Sequence, residues 1–230
     1  MLMKIYGQAL KVVLKKPFKL WGLSLLSIVL SSVLSALCGF AIPALGLSVS
    51  LLISTSMTIL FLKGYRGEEV GVLELFSCFK DWNTIKRVVL GLAWMALWVF
   101  LWALIPIVGP IIAIVRIYQY RLTAYILVFE PDVPLTEAYK ISAQKTKGYK
   151  LQMWLADFVY ILAFAVAVLI LSLFAKIPYI GVLFSFVQIV LSIAFGVLAP
   201  LFQGLVQSAF YEEINGATAE KCVESGETVE

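Results

Sequence analysis

The sequence predicts an all-α bundle of six membrane-spanning helices, and three observations lead there. Apolar residues make up 62% of the 230-residue chain and charged residues 14%, where soluble domains run nearer half and a quarter. The apolar residues fall into six long runs, and roughly 20 such residues carry a helix through a bilayer. A short phrase recurs between paired runs: Ile42-Pro43-Ala44-Leu45-Gly46, Ile105-Pro106-Ile107-Val108-Gly109 and Ile177-Pro178-Tyr179-Ile180-Gly181. A fixed phrase in a fixed context marks an internal repeat. Lipid tolerates only helices or closed barrels, and no run alternates with period two.

The spans are expected at about 20–41, 45–62, 88–104, 107–129, 151–174 and 180–211. The sixth is overlong and is expected to bend at Pro200, where the ring removes a helix hydrogen bond. Together they form a single integral membrane domain over 1–211, with repeats at about 1–66, 67–131 and 132–211. Residues 212–230, with Glu213, Glu220, Glu224, Glu227 and Glu230 against a single Lys221, predict an acidic, disordered cytoplasmic tail.

Each hairpin is preceded by an amphipathic stretch suited to the membrane surface. In the first, Lys4, Gln8, Lys11 and Lys15 form one stripe and Leu2, Ile5, Ala9 and Val13 another. The second covers 72–81, with Val72, Leu75, Phe76 and Phe79 set against Glu74, Ser77 and Asp81. The third covers 134–147, where Asp132 and Pro134 suit a helix start and Gly148 its end. Trp21, Trp82 and Trp154 supply one interfacial anchor per unit. In the turns, proline pushes its predecessor out of helical geometry, while glycine permits close packing or a positive φ.

Orientation follows from the basic residues. Lys11, Lys15, Lys19, Lys63, Arg66, Lys80, Lys86, Arg87, Lys147 and Lys150 all fall on one side, while the three turns carry only Lys176. Loops rich in Lys and Arg stay in the cytoplasm, so both termini are expected inside a cell membrane. Parallel hairpins of this kind are related by an axis along the membrane normal, which predicts a pseudo-threefold arrangement. The basic leader is long and runs into a full span, which disfavours a cleaved signal peptide. Leu37 ahead of Cys38 lacks the small side chain of a lipid-attachment site.

Charge inside a membrane is costly and marks candidate sites. Asp157 lies roughly 9 Å from its end of span five and Arg121 roughly 12 Å from its end of span four, so an Arg121–Asp157 ion pair is expected. Arg116 and Gln188 each sit seven residues after a turn glycine, Gly109 and Gly181. Ser54 and Thr55 fall at a similar count after Gly46, so these four residues predict a polar belt or pathway at mid-membrane, with Ser31 and Ser32 at the same level. The stripe of Trp94, Trp98 and Trp102 reads as packing. Lys11, Lys15, Lys86, Arg87, Lys147 and Lys150 are expected to contact anionic phospholipid headgroups, at about 1 kcal/mol per near-surface cation.

The chain has no histidine and three scattered cysteines, which removes the commonest general base and metal ligand. The one local acid pair, Glu130 and Asp132, is explained by a helix start. No catalytic residue, cofactor or metal site is expected. The expected partners are the lipid bilayer and anionic headgroups, with a membrane-protein partner or a homo-oligomer left open; nothing points to nucleic acid. The expected function is a non-enzymatic lipid-binding, assembly or regulatory module. The alternative is a small transporter or channel subunit.

A run from Tyr125 to Pro131 is followed by Ala138, Ser142, Thr146-Lys147-Gly148-Tyr149-Lys150 and then Phe210-Tyr211-Glu212-Glu213-Ile214. In this order the motifs resemble the uncharacterised prokaryotic membrane family known as domain of unknown function 975. They are also similar to the membrane domain that accompanies some glycerophosphodiester phosphodiesterases. The resemblance covers about the last hundred residues and the first half only by topology. It implies a multi-pass bundle without an assigned activity, since the phosphodiesterase chemistry belongs to a separate soluble domain.

Overall fold

The computed structural model describes residues 2–15, 17–41, 43–106, 108–177 and 181–225. Ile42, Ile107 and 178–180 of the repeated phrase lie outside the described residues, as do 226–230 of the expected tail and the side chains of Lys4 and Lys15. The chain is 85% helical and has no strand among the described residues. Among the described residues, six helical segments are long and apolar enough to cross a membrane, the fourth of them, Gly109–Phe129, built from two short helices, which marks a multi-pass membrane protein.

The helices are α1 (Leu2–Lys15), α2 (Pro17–Ala41), α3 (Pro43–Arg66), α4 (Trp82–Ala103), α5 (Gly109–Gln119), α6 (Thr123–Phe129), α7 (Ala138–Lys145), α8 (Lys150–Phe174) and α9 (Gly181–Ser225). Their ends follow from local chemistry. The Asp81 carboxylate accepts from the Thr84 N–H at 3.1 Å and caps α4, satisfying a donor that the first turn leaves free. At the end of α3, Gly67 adopts φ +83° and the Glu68 N–H reaches back to the Lys63 carbonyl, a left-handed cap that glycine adopts without strain. Gly148, at φ +95°, lies just past α7. The turn glycines act by close approach instead. A Cβ on Gly109 would lie 2.6 Å from the Trp102 carbonyl oxygen, and one on Gly181 2.2 Å from that of Ala175.

Helix α2 packs on α3, α4 on α5 and α8 on α9. Helix α3 is the hub, with 56% of its span buried against 6% for α8, and it also touches α4, α6 and α9. The main apolar core gathers Leu20, Met57, Leu60, Leu205, Phe210 and Ile214 with Ile5 and Ala9. Ile5 and Ala9 come from α1, and the others from the parts of α2, α3 and α9 on which α1 packs, away from the hairpin turns. The far ends of α8 and α9 keep Leu169, Ile170, Leu183 and Phe186 exposed, as a lipid-facing surface requires.

Three expectations are corrected. The apolar face of α1 is spent on protein: Ile5 and Ala9 are buried, Tyr6 stacks on Phe202 and the Tyr6 hydroxyl donates to the Ala156 carbonyl. The second amphipathic stretch is a 3-10 helix, Val72–Phe79, that buries Leu75 and Cys78 and leaves Val72 and Leu73 exposed. Residues 212–225 continue α9 where disorder is expected, because Ile214 is buried and Glu212 pairs with Arg66 at 2.7 Å. Pro200, where a bend is expected, lies inside α9.

Candidate functional site: a polar cleft at a broken helix

The fourth span is the one that breaks. Helix α5 stops at Gln119 and α6 starts at Thr123, so backbone groups between them need partners elsewhere. Helix α7 supplies them with two hydroxyls one turn apart. Ser142 Oγ donates to the Gln119 carbonyl at 2.9 Å and accepts from the Leu122 N–H at 3.1 Å. Thr146 Oγ1 also lies 3.1 Å from the Gln119 carbonyl, and its one proton is shared with the Ser142 carbonyl at 2.8 Å. With Ala138, these residues repeat every fourth position and are all fully buried, so one face of α7 is pressed onto the break. The Arg121 carbonyl is taken by Gln207 Nε2 of α9 at 2.8 Å.

Arg121, freed from helical register, meets Asp157 of α8. Its Nη1 lies 2.5 Å from Oδ2 and its Nη2 3.1 Å from Oδ1, the two-pronged match of guanidinium to carboxylate. The Tyr118 hydroxyl donates to Asp157 Oδ2 at 3.0 Å, and the Arg121 guanidinium lies 5.3 Å from the Tyr118 ring centre. Asp157 is 6% exposed. Each of the two charges thus has a partner of opposite sign, as burial of charge requires.

This clamp lies on a cleft of about 540 Å³ lined by α3, α4, the broken span, α8 and α9. Ser54, Thr55 and Thr58 come from α3, Tyr118 and Arg121 from the broken span, Asp157 from α8, and Gln203 and Gln207 from α9. A second cleft of about 360 Å³ shares Ser54, Thr58, Gln203 and Gln207 and adds Ser27, Ser31 and Ser50. Thr55 Oγ1 has no hydrogen-bond partner although the residue is only 2% exposed. The lining of the larger cleft sets hydroxyls and amides against an apolar wall of Leu92, Met95, Ala96 and Val99 from α4, and its two charges cancel.

Of the residues expected in a mid-membrane belt, Ser54 and Thr55 line the cleft, and Arg116 and Gln188 do not. Arg116 donates to Gln119 Oε1 at 2.8 Å and sits 4.9 Å from the Trp102 ring centre, satisfied within its own hairpin. Gln188 is half-buried on α9, and its carbonyl accepts from Ser192. It lies 15 residues before Gln203, roughly 22 Å along the helix. The place expected for it is taken by Gln203 and Gln207. Their signal was present in the sequence as polar pairs at spacing four: Gln203–Gln207 on α9, Ser50–Ser54–Thr58 on α3 and Ser27–Ser31 on α2. No family model matches the chain, and no curated protein or solved structure does.

The cations divide in two groups. Arg87 is spent on the end of α6, donating to the carbonyls of Leu127 and Glu130 at 3.3 and 3.0 Å, so it is a helix cap in place of the expected headgroup contact. Lys63 pairs with Glu74 and Lys145 with Glu130. Among the described side chains, Lys11, Lys86, Lys147 and Lys150 make no ion pair; Lys86 lies 5.3 Å from the Trp82 ring centre. The Lys15 side chain lies outside the described residues.

Proposed function

We propose that this chain is a non-enzymatic binding module of the cell membrane, with both termini in the cytoplasm, that holds an uncharged polar group within the bilayer. One observation carries this reading: hydroxyl and amide side chains from α3 and α9 converge with the Arg121–Asp157 pair on one intramembrane cleft, and four of them are shared with the neighbouring cleft that the α2 serines line. Polar groups at membrane depth mark a ligand site or pathway. Because the pair is internally neutral, the vacant hydrogen-bonding capacity suits a ligand without net charge. The three helix pairs act as like-oriented hairpin repeats. Support for that comes from their mutual contacts: α3 with α4 and α9, and α5 with α8, so each pair touches the other two. The unpaired lysines Lys11, Lys86, Lys147 and Lys150 hold the lysine-bearing end against anionic headgroups. On this reading the chain joins the membrane family that its C-terminal motifs resemble, and no activity is carried over.

The test is mass spectrometry of what purified protein retains. Thr58→Val with Gln203→Leu keeps the shape of the cleft and removes its polarity. A polar compound held by the wild type and lost from the double variant supports the reading; identical extracts reject it.

A second reading is a small transporter or channel subunit. The sharing of four residues by the two clefts favours it, since the polar lining then continues from α8 to α2. Solute flux through reconstituted vesicles that disappears in the same double variant supports transport. Vesicles that stay impermeable to small polar solutes reject it.

A further inference from the structure

We infer that the outer groove between α5 and α8 is a defined site for one anionic phospholipid, separate from the central cleft. The groove has a volume of about 410 Å³. Its walls are Ile111, Ile114 and Val115 from α5 and Leu151 and Trp154 from α8, all exposed and apolar. Exposed apolar residues are ordinary on a membrane protein. The distinguishing feature is the single cation on this lining, Lys150.

Lys150 is half-buried and makes no ion pair among the described residues. A lysine beside an apolar channel is complementary to a molecule with a negative head and a hydrocarbon tail. A long lysine stem lies along apolar surface while its charge reaches the headgroup level. Trp154 stacks on Phe158 with ring centres 4.9 Å apart, and an indole placed this way is the usual neighbour of a headgroup. The occupant is therefore an anionic phospholipid, with its phosphate on Lys150 and one acyl chain along Ile111, Ile114 and Val115.

The groove also reaches the clamp. Tyr118 lines both the groove and the central cleft, and its hydroxyl donates to Asp157. A lipid seated here lies one side chain away from the Arg121–Asp157 pair. The inference rests on the reading of the lysine-bearing end as the headgroup side, and not on the central cleft.

The experiment uses the full chain in phosphatidylcholine vesicles that contain a minor share of brominated phosphatidylglycerol or of brominated phosphatidylcholine. Bromine quenches nearby tryptophan, and subtracting the signal of Trp154→Phe isolates Trp154. The expected result is an anionic preference of about fivefold at Trp154, the effect of one near-surface cation. The preference disappears in Lys150→Gln and survives in Lys150→Arg. Ile114→Phe fills the groove with Lys150 intact, and lowers quenching by both lipids. Equal quenching by the two lipids in the wild type overturns the site, and so does a preference unchanged in Lys150→Gln. Either result leaves the ligand extraction from the central cleft unaffected.

Discussion

The Ser142 hydroxyl on α7 donates to the Gln119 carbonyl at 2.9 Å, which ties α7 to the break in the fourth span. The same oxygen accepts from the Leu122 N–H, so one side chain satisfies a donor and an acceptor that the break sets free. Ser142→Ala leaves the Leu122 N–H buried without a partner, at a cost of about 1–3 kcal/mol. Thr146→Ala costs less, about 1 kcal/mol, because Gln119 keeps the Ser142 bond. The double variant strips Gln119 of both hydroxyls and loses more than the sum. Unfolding in mild detergent measures all three, and strictly additive losses contradict the shared role.

Arg121 and Asp157 form the second coupled pair. Removing one member of a buried ion pair strands the other charge, at a cost of about 3–5 kcal/mol. Arg121→Met and Asp157→Leu are each expected to destabilise the protein by that order. Their combination recovers most of the loss, since two apolar side chains leave no stranded charge. The coupling energy from the double-mutant cycle is the measurement. A coupling near zero removes the clamp from the account.

The spans and the clamp were legible in the sequence for different reasons. Apolar run length locates a span whatever its neighbours, so α2, α3, α4 and α8 fall close to their expected places. The Arg121–Asp157 pair was legible because depth within a helix scales with residue count, and two opposite charges at equal depth cannot both stay unpaired. The same counting failed for Gln188. Measured from a turn it assumes hairpins of equal height, and α9 is 45 residues long. It failed for Arg116 because the Trp102 face and Gln119 lie within reach on its own hairpin. The break at Gln119–Leu122 carries no proline or glycine, and its cause lies in tertiary partners: Ser142, Thr146 and Gln207 reward the open backbone. The sequence pattern of α7 (Ala138, Ser142 and Thr146 at spacing four) shows a small polar face without saying which backbone it covers.

Cys78 provides a pH-dependent check outside the spans. Burial pushes its thiol above the ordinary range, and the Ser56 hydroxyl partly opposes that. The folded state therefore holds the proton more tightly than the unfolded state. The stabilisation is fully present below the ordinary thiol pKa and is lost as pH rises through the raised one. The wild type is expected to lose melting temperature on the alkaline side more steeply than Cys78→Ala. Parallel curves for the two proteins contradict a buried, protonated thiol.

The contact of α9 with α3 turns on Gly204. A Cβ there would lie 2.1 Å from Phe61 Cδ2 and 2.3 Å from Cε2, and Phe61 is itself buried in the core, so the ring has to leave its packed position to admit a methyl group. Gly204→Ala is expected to cost about 1–3 kcal/mol, the usual penalty of overpacking. Gly7 on α1 meets nothing within 4 Å, and Gly7→Ala is expected to gain up to about 1 kcal/mol from helix propensity. The contrast separates packing from propensity, since both substitutions add one methyl group to a helix. Phe61→Leu should restore much of the loss in Gly204→Ala by shortening the opposing side chain. Gly204 and Phe61 also line the smaller cleft, so the unrescued variant is expected to bring the α3 and α9 walls out of register. Thermal unfolding of the two alanine variants and the rescued pair decides it: equal effects at Gly204 and Gly7 show that α9 does not press on α3 at this point.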